Sequence, residues 1–190
     1  ALDIFSGSGT TEITGNIGVG GALKSLDINN TGATNTGSIT IGGNIGTNLV
    51  AGTGVLRLGN TDTAGTITLG GAEYFTSGAQ TYTATAFTVS GTAPEFQATN
   101  QDIEFAAATG QDGDVTLGDA STITVTGGSG AITFGGDILG TNSGEATDVT
   151  LNTTGTVGVK SIGANGSTAD NNINDVTITG GTINLAGTIS

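Results

Sequence analysis

Cysteine, histidine, methionine and tryptophan are absent from this chain, and a single proline, Pro94, interrupts its 190 residues. Each absence removes a class of chemistry. Without cysteine there is no disulfide framework and no thiol redox couple, and without histidine the commonest general base and metal ligand is gone. The only cations are Lys24, Arg57 and Lys160, which leaves a net charge of −13. No basic patch exists to neutralise phosphates or to meet an anionic leaflet, which argues against nucleic acid and the membrane surface as partners. No apolar run approaches the roughly 20 residues of a membrane-spanning helix. Nor does a charged-then-apolar leader start at Ala1, so the chain reads as a processed product or an excised segment.

What the chain does contain is glycine, at 36 positions, and many threonines. Such a composition suggests disorder when it lacks a period, but a mean hydropathy of +0.13 and a charged fraction of 10% argue against a solvated coil. With 35% apolar residues, the chain can fill a core that is narrow and continuous. One phrase recurs, Ile or Val, then Thr, then an apolar residue, usually running into glycine. It appears as Ile39-Thr40-Ile41-Gly42-Gly43, Ile67-Thr68-Leu69-Gly70-Gly71, Val115-Thr116-Leu117-Gly118, Ile132-Thr133-Phe134-Gly135-Gly136, Val149-Thr150-Leu151 and Val176-Thr177-Ile178-Thr179-Gly180-Gly181. The alternation has the two-residue period of a strand, and the glycines suit either positive φ or a crowded corner. Units at uneven distances, with lesser strands such as Leu26-Asp27-Ile28 and Val55-Leu56-Arg57-Leu58 between them, fit a coil of two or three strands. Insertions in such a coil are absorbed at its corners. No segment carries a capped helical stripe. The expected fold is all-β, a right-handed parallel β-helix (β-solenoid) forming a single domain over 1–190, with no significant α-helix.

In Ile39, Ile41, Gly43, Ile45 and in Ile132, Phe134, Gly136, Ile138, alternate positions are apolar or glycine, which predicts one buried and one wet face. Ile41, Leu69, Leu117, Phe134, Leu151 and Ile178, each the second apolar member of its unit, are expected to form one apolar ladder. Asn-rich turns such as Asn29-Asn30-Thr31-Gly32 suit left-handed backbone and stacked Asn rows. One region, about 72–109, departs from the pattern, because glycine nearly vanishes there and the aromatics gather beside Pro94. These aromatics either fill a locally wider core or mark a protruding loop on which Tyr74 and Tyr82 stack against a ligand.

Chemistry-bearing clusters are few. Asp112 and Asp114 on a glycine turn, with Asp119 following, could supply hard oxygen ligands to Ca²⁺, but a solvated acidic turn is the stronger reading of them. No other cofactor is implied. Polysaccharide-acting solenoid enzymes need paired carboxylates with a cationic or His partner, and the three cations here stand isolated, so no enzyme activity is expected. An ice-binding Thr array is interrupted: the residue two before the central Thr is Asp114, Ala131, Asp148 and Asp175 in four of the units.

Stretches such as Ala131-Ile132-Thr133-Phe134-Gly135-Gly136-Asp137-Ile138 and Asp148-Val149-Thr150-Leu151-Asn152-Thr153-Thr154-Gly155 resemble the repeats of filamentous-haemagglutinin-type and autotransporter-like bacterial surface proteins. That resemblance implies a right-handed parallel β-helix, secretion to the cell surface or beyond, and a role in adhesion or surface structure. Two functions are therefore expected in order. The first is a structural subunit that associates end to end through uncapped terminal strands, with Leu2, Ile4, Ile183 and Leu185 at the contact. The second is an adhesin module whose partner is a glycan or a cell surface.

Overall fold

In a computed structural model, residues 1–47, 50–118, 122–140, 147–163 and 173–189 are described. They form a parallel β-solenoid with three faces and no helix. Face one stacks Leu2–Ile4, Leu23–Ile28, Thr53–Leu58, Gln80–Ala84, Ile103–Ala107, Ile132–Phe134, Thr156–Val159 and Thr182–Leu185, each parallel to the next. Face two stacks Thr11–Ile13, Ile39–Ile41, Thr66–Leu69, Ala86–Val89, Asp114–Leu117 and Ile138–Leu139, and single bridges carry it on through Ile162 to Ile189. Face three begins as bridges from Ile17 to Ile45 to Tyr74. It continues as Glu73–Thr76, Glu95–Ala98, Thr122–Gly128, Asp148–Thr153 and Asp175–Thr179. Among the described residues the one antiparallel pair is the small excursion Gly46–Thr47 with Val50–Ala51.

This geometry explains the uneven spacing of the repeated phrase. Ile39 and Ile67 are register partners on face two, one full turn apart, whereas Val115, Ile132 and Val149 lie in strands on faces two, one and three respectively. The phrase is therefore a generic strand, used on every face, and it does not mark one position per turn. The expected single ladder divides accordingly: Ile41, Leu69 and Leu117 lie on face two, Phe134 on face one, and Leu151 and Ile178 on face three. All six still point inward, with Ile178 half-buried near the end of the stack. Turn length varies, from 20 residues between the partners Thr66 and Ala86 to 30 between Leu26 and Leu56. Corners absorb the difference.

The glycine pairs act by crowding. None of Gly42, Gly43, Gly70, Gly71, Gly135 and Gly136 has positive φ. A Cβ on Gly71 would collide with the Gly43 carbonyl of the turn below, and one on Gly91 with the Gly71 carbonyl. The first glycine of each pair is roomier: a Cβ at Gly70 meets nothing closer than 3.5 Å, and the chain itself places Ser90 at that position one turn later. Asparagine side chains tie neighbouring corners together. The Asn16 Oδ1 accepts from the Asn44 N–H at 2.9 Å, and the Asn44 Oδ1 accepts from the Ala72 N–H at 2.8 Å, so each amide satisfies backbone in the turn above it.

The region 72–109 is not a protruding loop. It forms one of the more regular parts of the stack, pairing in register on both sides. Its aromatics fill the core in two adjoining columns. Tyr82, Phe105 and Phe134 stack with centroid spacings of 4.7 and 4.8 Å, and Tyr74 stacks on Phe96 at 4.6 Å. Edge-to-face contacts of Phe105 with Phe96 and Phe87, both at 5.4 Å, lock the columns together. Parallel in-register strands bring identical positions within about 5 Å of each other, which is also the spacing at which rings stack. Fully buried Gln80 satisfies the polar atoms left inside. Its Nε2 donates to the carbonyls of Tyr74 at 2.7 Å and Gln97 at 2.9 Å, and its Oε1 accepts from the Tyr82 hydroxyl at 2.9 Å.

Candidate functional site

The residues that sequence reasoning singles out fall in three places. Tyr74 and Tyr82 are both 0% exposed, so neither ring is available to an external ligand. The Tyr74 oxygen accepts from the Gly71 N–H at 2.8 Å, and Tyr82 donates to Gln80. Burial pushes both phenols well above their ordinary range. For Tyr74 the Gly71 hydrogen bond opposes part of that rise. They are core residues: each occupies an inward position with an aliphatic partner in the turn below, Leu58 under Tyr82 and Ile45 under Tyr74, and a phenylalanine in the turn above, Phe105 and Phe96 respectively.

Asp112 is exposed at the corner between faces one and two. Asp114, at the start of its face-two strand, uses Oδ1 to accept from the Asp137 N–H of the next turn at 2.8 Å. Asp119 lies outside the described residues. Among the described residues no three acidic, His or Cys groups converge as a metal site. Asp114 is instead the base of a short polar column. Above it the buried Asp137 carboxylate sits 3.6 Å from Lys160 Nζ, an ion pair without a hydrogen bond. Another ion pair, Arg57 with Asp27 at 2.9 Å, bridges adjacent turns on the outside of face one, where Asp27 also has Asp3 as its register partner.

The third place is the pair of solenoid ends. Among the described residues the exposed large hydrophobic side chains are Leu2, Phe5 and Val19 on the first turn and Ile183, Leu185 and Ile189 on the last. Ile4 is half-buried against the core. The cause is topological. Leu2 and Ile4 head the inward columns that continue through Leu26 and Ile28, and Ile183 and Leu185 end the columns that arrive through Val157 and Val159. Every interior turn has a neighbour above and below, and these two have one each. Thr182–Leu185 is exposed along its whole length, and Asp175–Thr179 is alternately exposed and half-buried. Both ends thus present core-type side chains together with one unpaired edge of backbone donors and acceptors.

One feature was not visible in sequence. At the corner between faces one and two, residues 29–38, 59–65 and 108–113 form long loops, while Thr85 alone separates the strands of the intervening turn. A cleft opens over that short corner. Only the pairing register shows which loops are neighbours, so no local signal could have located it. Among the described residues no helix is long and apolar enough to cross a membrane. No protein-family model, curated protein or solved structure matches this chain.

Proposed function

We propose that the protein is a non-catalytic structural β-solenoid of an extracellular or cell-surface fibre, joined end to end through its terminal turns. The observation that carries this reading is the confinement, among the described residues, of the exposed large hydrophobics to the first and last turns. Stacking a second copy continues the register already present. Ile183 then pairs with Leu2, Leu185 with Ile4, and Asn184 with Asp3, so two apolar columns extend across the joint and no like charges face each other. Each backbone hydrogen bond formed contributes about 0.5–1.5 kcal/mol net, and burying the four aliphatic side chains adds to it. A charge of −13 per copy holds finished fibres apart laterally, while the short-range pairing acts at the ends.

Sedimentation velocity across a concentration series, with negative-stain electron microscopy, tests the reading. The chain is expected to grow into unbranched fibres of one solenoid's width as concentration rises. A double variant, Ile4→Lys with Ile183→Lys, is expected to stay monomeric while keeping the parent's far-ultraviolet circular dichroism. A parent that remains monomeric at millimolar concentration, or a folded double variant that still forms fibres, overturns axial stacking. The adhesin-module reading then takes its place.

A further inference from the structure

We infer that the cleft over Thr85 is a binding site for a neutral saccharide unit. It lies on the side of the solenoid, away from both ends, and is independent of the end-to-end joint. Insertions in a solenoid collect at its corners and commonly build its binding face. Here three long loops, 29–38 and 59–65 from consecutive turns and 108–113 from two turns further on, surround the one-residue corner at Thr85. The cleft has a volume of about 390 Å³, within the range of small-ligand sites.

Its walls are held before any ligand arrives. The Thr109 N–H donates to the Thr61 carbonyl at 2.8 Å, so the upper loop reaches across the short corner to the lower one. The Ala64 N–H donates to the Thr36 carbonyl at 3.1 Å, and Thr63 Oγ1 accepts from the Asn60 N–H at 2.8 Å. Below the bridge, Thr85 Oγ1 donates to the Thr63 carbonyl at 3.1 Å, and the Gly113 N–H donates to the Thr85 carbonyl at 3.1 Å. Backbone ordering of this kind lowers the entropy cost of binding.

The lining selects the ligand class. It contains none of the three cations, so an anion meets no counter-charge. Its one carboxylate, Asp62, is too few for a metal site. No large apolar side chain lines it, which removes the driving force for an aliphatic or aromatic ligand. What remains is a mixed surface. Ala33, Ala64 and Ala108 offer small flat apolar contacts, and Thr61, Asp62, Thr109 and Gln111 offer hydroxyl, carboxylate and amide groups around them. The Asp62 and Gln111 side chains make no hydrogen bond within the described residues, so their capacity is open to a ligand. A sugar ring has the complementary chemistry, with hydroxyls that both donate and accept around its rim and C–H groups on its faces.

The test is an amide-resolved NMR titration with four neutral disaccharides, maltose, lactose, mannobiose and N,N′-diacetylchitobiose. Glucuronate and glucosamine serve as charged comparisons. At least one neutral sugar is expected to shift amides of Thr61–Ala64 and Ala108–Gln111 and leave the terminal turns unmoved. Gln111→Ala is expected to weaken that binding about tenfold with the melting temperature unchanged, since Gln111 is exposed and loses one hydrogen-bond set. Ala64→Trp, filling the cleft from an exposed position, is expected to abolish it. The inference is overturned if none of the four shifts these amides at about 20 mM, a concentration that detects even weak binding. It is also overturned if glucosamine alone does, which makes the site an ammonium contact at Asp62, or if both folded variants bind as the parent does.

Discussion

Removing the ring of Phe105 tests the physical basis of the solenoid most directly. Phe105 is fully buried, stacks on Tyr82 and Phe134 at 4.7 and 4.8 Å, and meets Phe87 and Phe96 edge-on at 5.4 Å. Replacing a buried Phe by Ala costs about 3–5 kcal/mol, and loss of four ring partners places Phe105→Ala toward the upper end, about 4–5 kcal/mol. Neighbouring rings cannot close the gap, because each is fixed by its own in-register strand. For a chain of this size 1 kcal/mol corresponds to about 2–4 °C, so the midpoint of thermal unfolding should fall by about 10–15 °C. Differential scanning calorimetry measures it, with Phe5→Ala as the control. Phe5 is 57% exposed on the first turn, and its loss should change stability by less than about 0.5 kcal/mol. Because each turn contacts only its neighbours, hydrogen exchange in Phe105→Ala should accelerate first in Gln80–Ala84, Ile103–Ala107 and Ile132–Phe134, while the remote Leu2–Ile4 strand keeps its parent rate. A midpoint within about 3 °C of the parent refutes the stacked-column account.

Further expectations concern the corners, the phenols and the Asp137–Lys160 ion pair. Gly71→Ala should destabilise by about 2–3 kcal/mol, because its Cβ collides with the Gly43 backbone, whereas Gly70→Ala should stay within about 1 kcal/mol; urea unfolding of the two variants compares them. Both tyrosine pKa values are raised in the folded state, so the stability they confer is complete below about pH 10, the ordinary phenol value, and is lost as pH climbs above it. Ultraviolet titration should therefore show no tyrosinate in the native protein near pH 10, and then both phenols ionising together with unfolding; smooth titration near pH 10 without unfolding contradicts their burial. Lys160→Met, removing the half-exposed cation beside the buried Asp137 carboxylate, should lower stability by about 1 kcal/mol at neutral pH, because solvent screens the pair from the lysine side, whereas the double change with Asp137→Asn recovers most of it. A double-mutant cycle by chemical denaturation reads that coupling.

The strand content, the inward set and the lack of helix were already written in local order. Alternation at Ile39, Ile41, Gly43 and Ile45 fixes which side chains turn inward, because a strand's period is two whatever it packs against. Composition likewise decides what chemistry is missing, since a residue type absent from the chain is absent from every site. Register is different in kind. Whether Val115, Ile132 and Val149 share a face or occupy three depends on where each corner returns the chain, and corner length is set by stacking between turns. For that reason the sequence favours a core place for Tyr74 and Tyr82 but leaves a ligand platform open until Phe96 and Phe105 are placed against them. The exposed character of Leu2, Ile4, Ile183 and Leu185 was only half legible: their alternation marks them as core, and their position in the stack leaves them without a covering turn. The cleft over Thr85 belongs wholly to the tertiary structure, since residues 29–38, 59–65 and 108–113 become neighbours only when successive turns are laid upon one another.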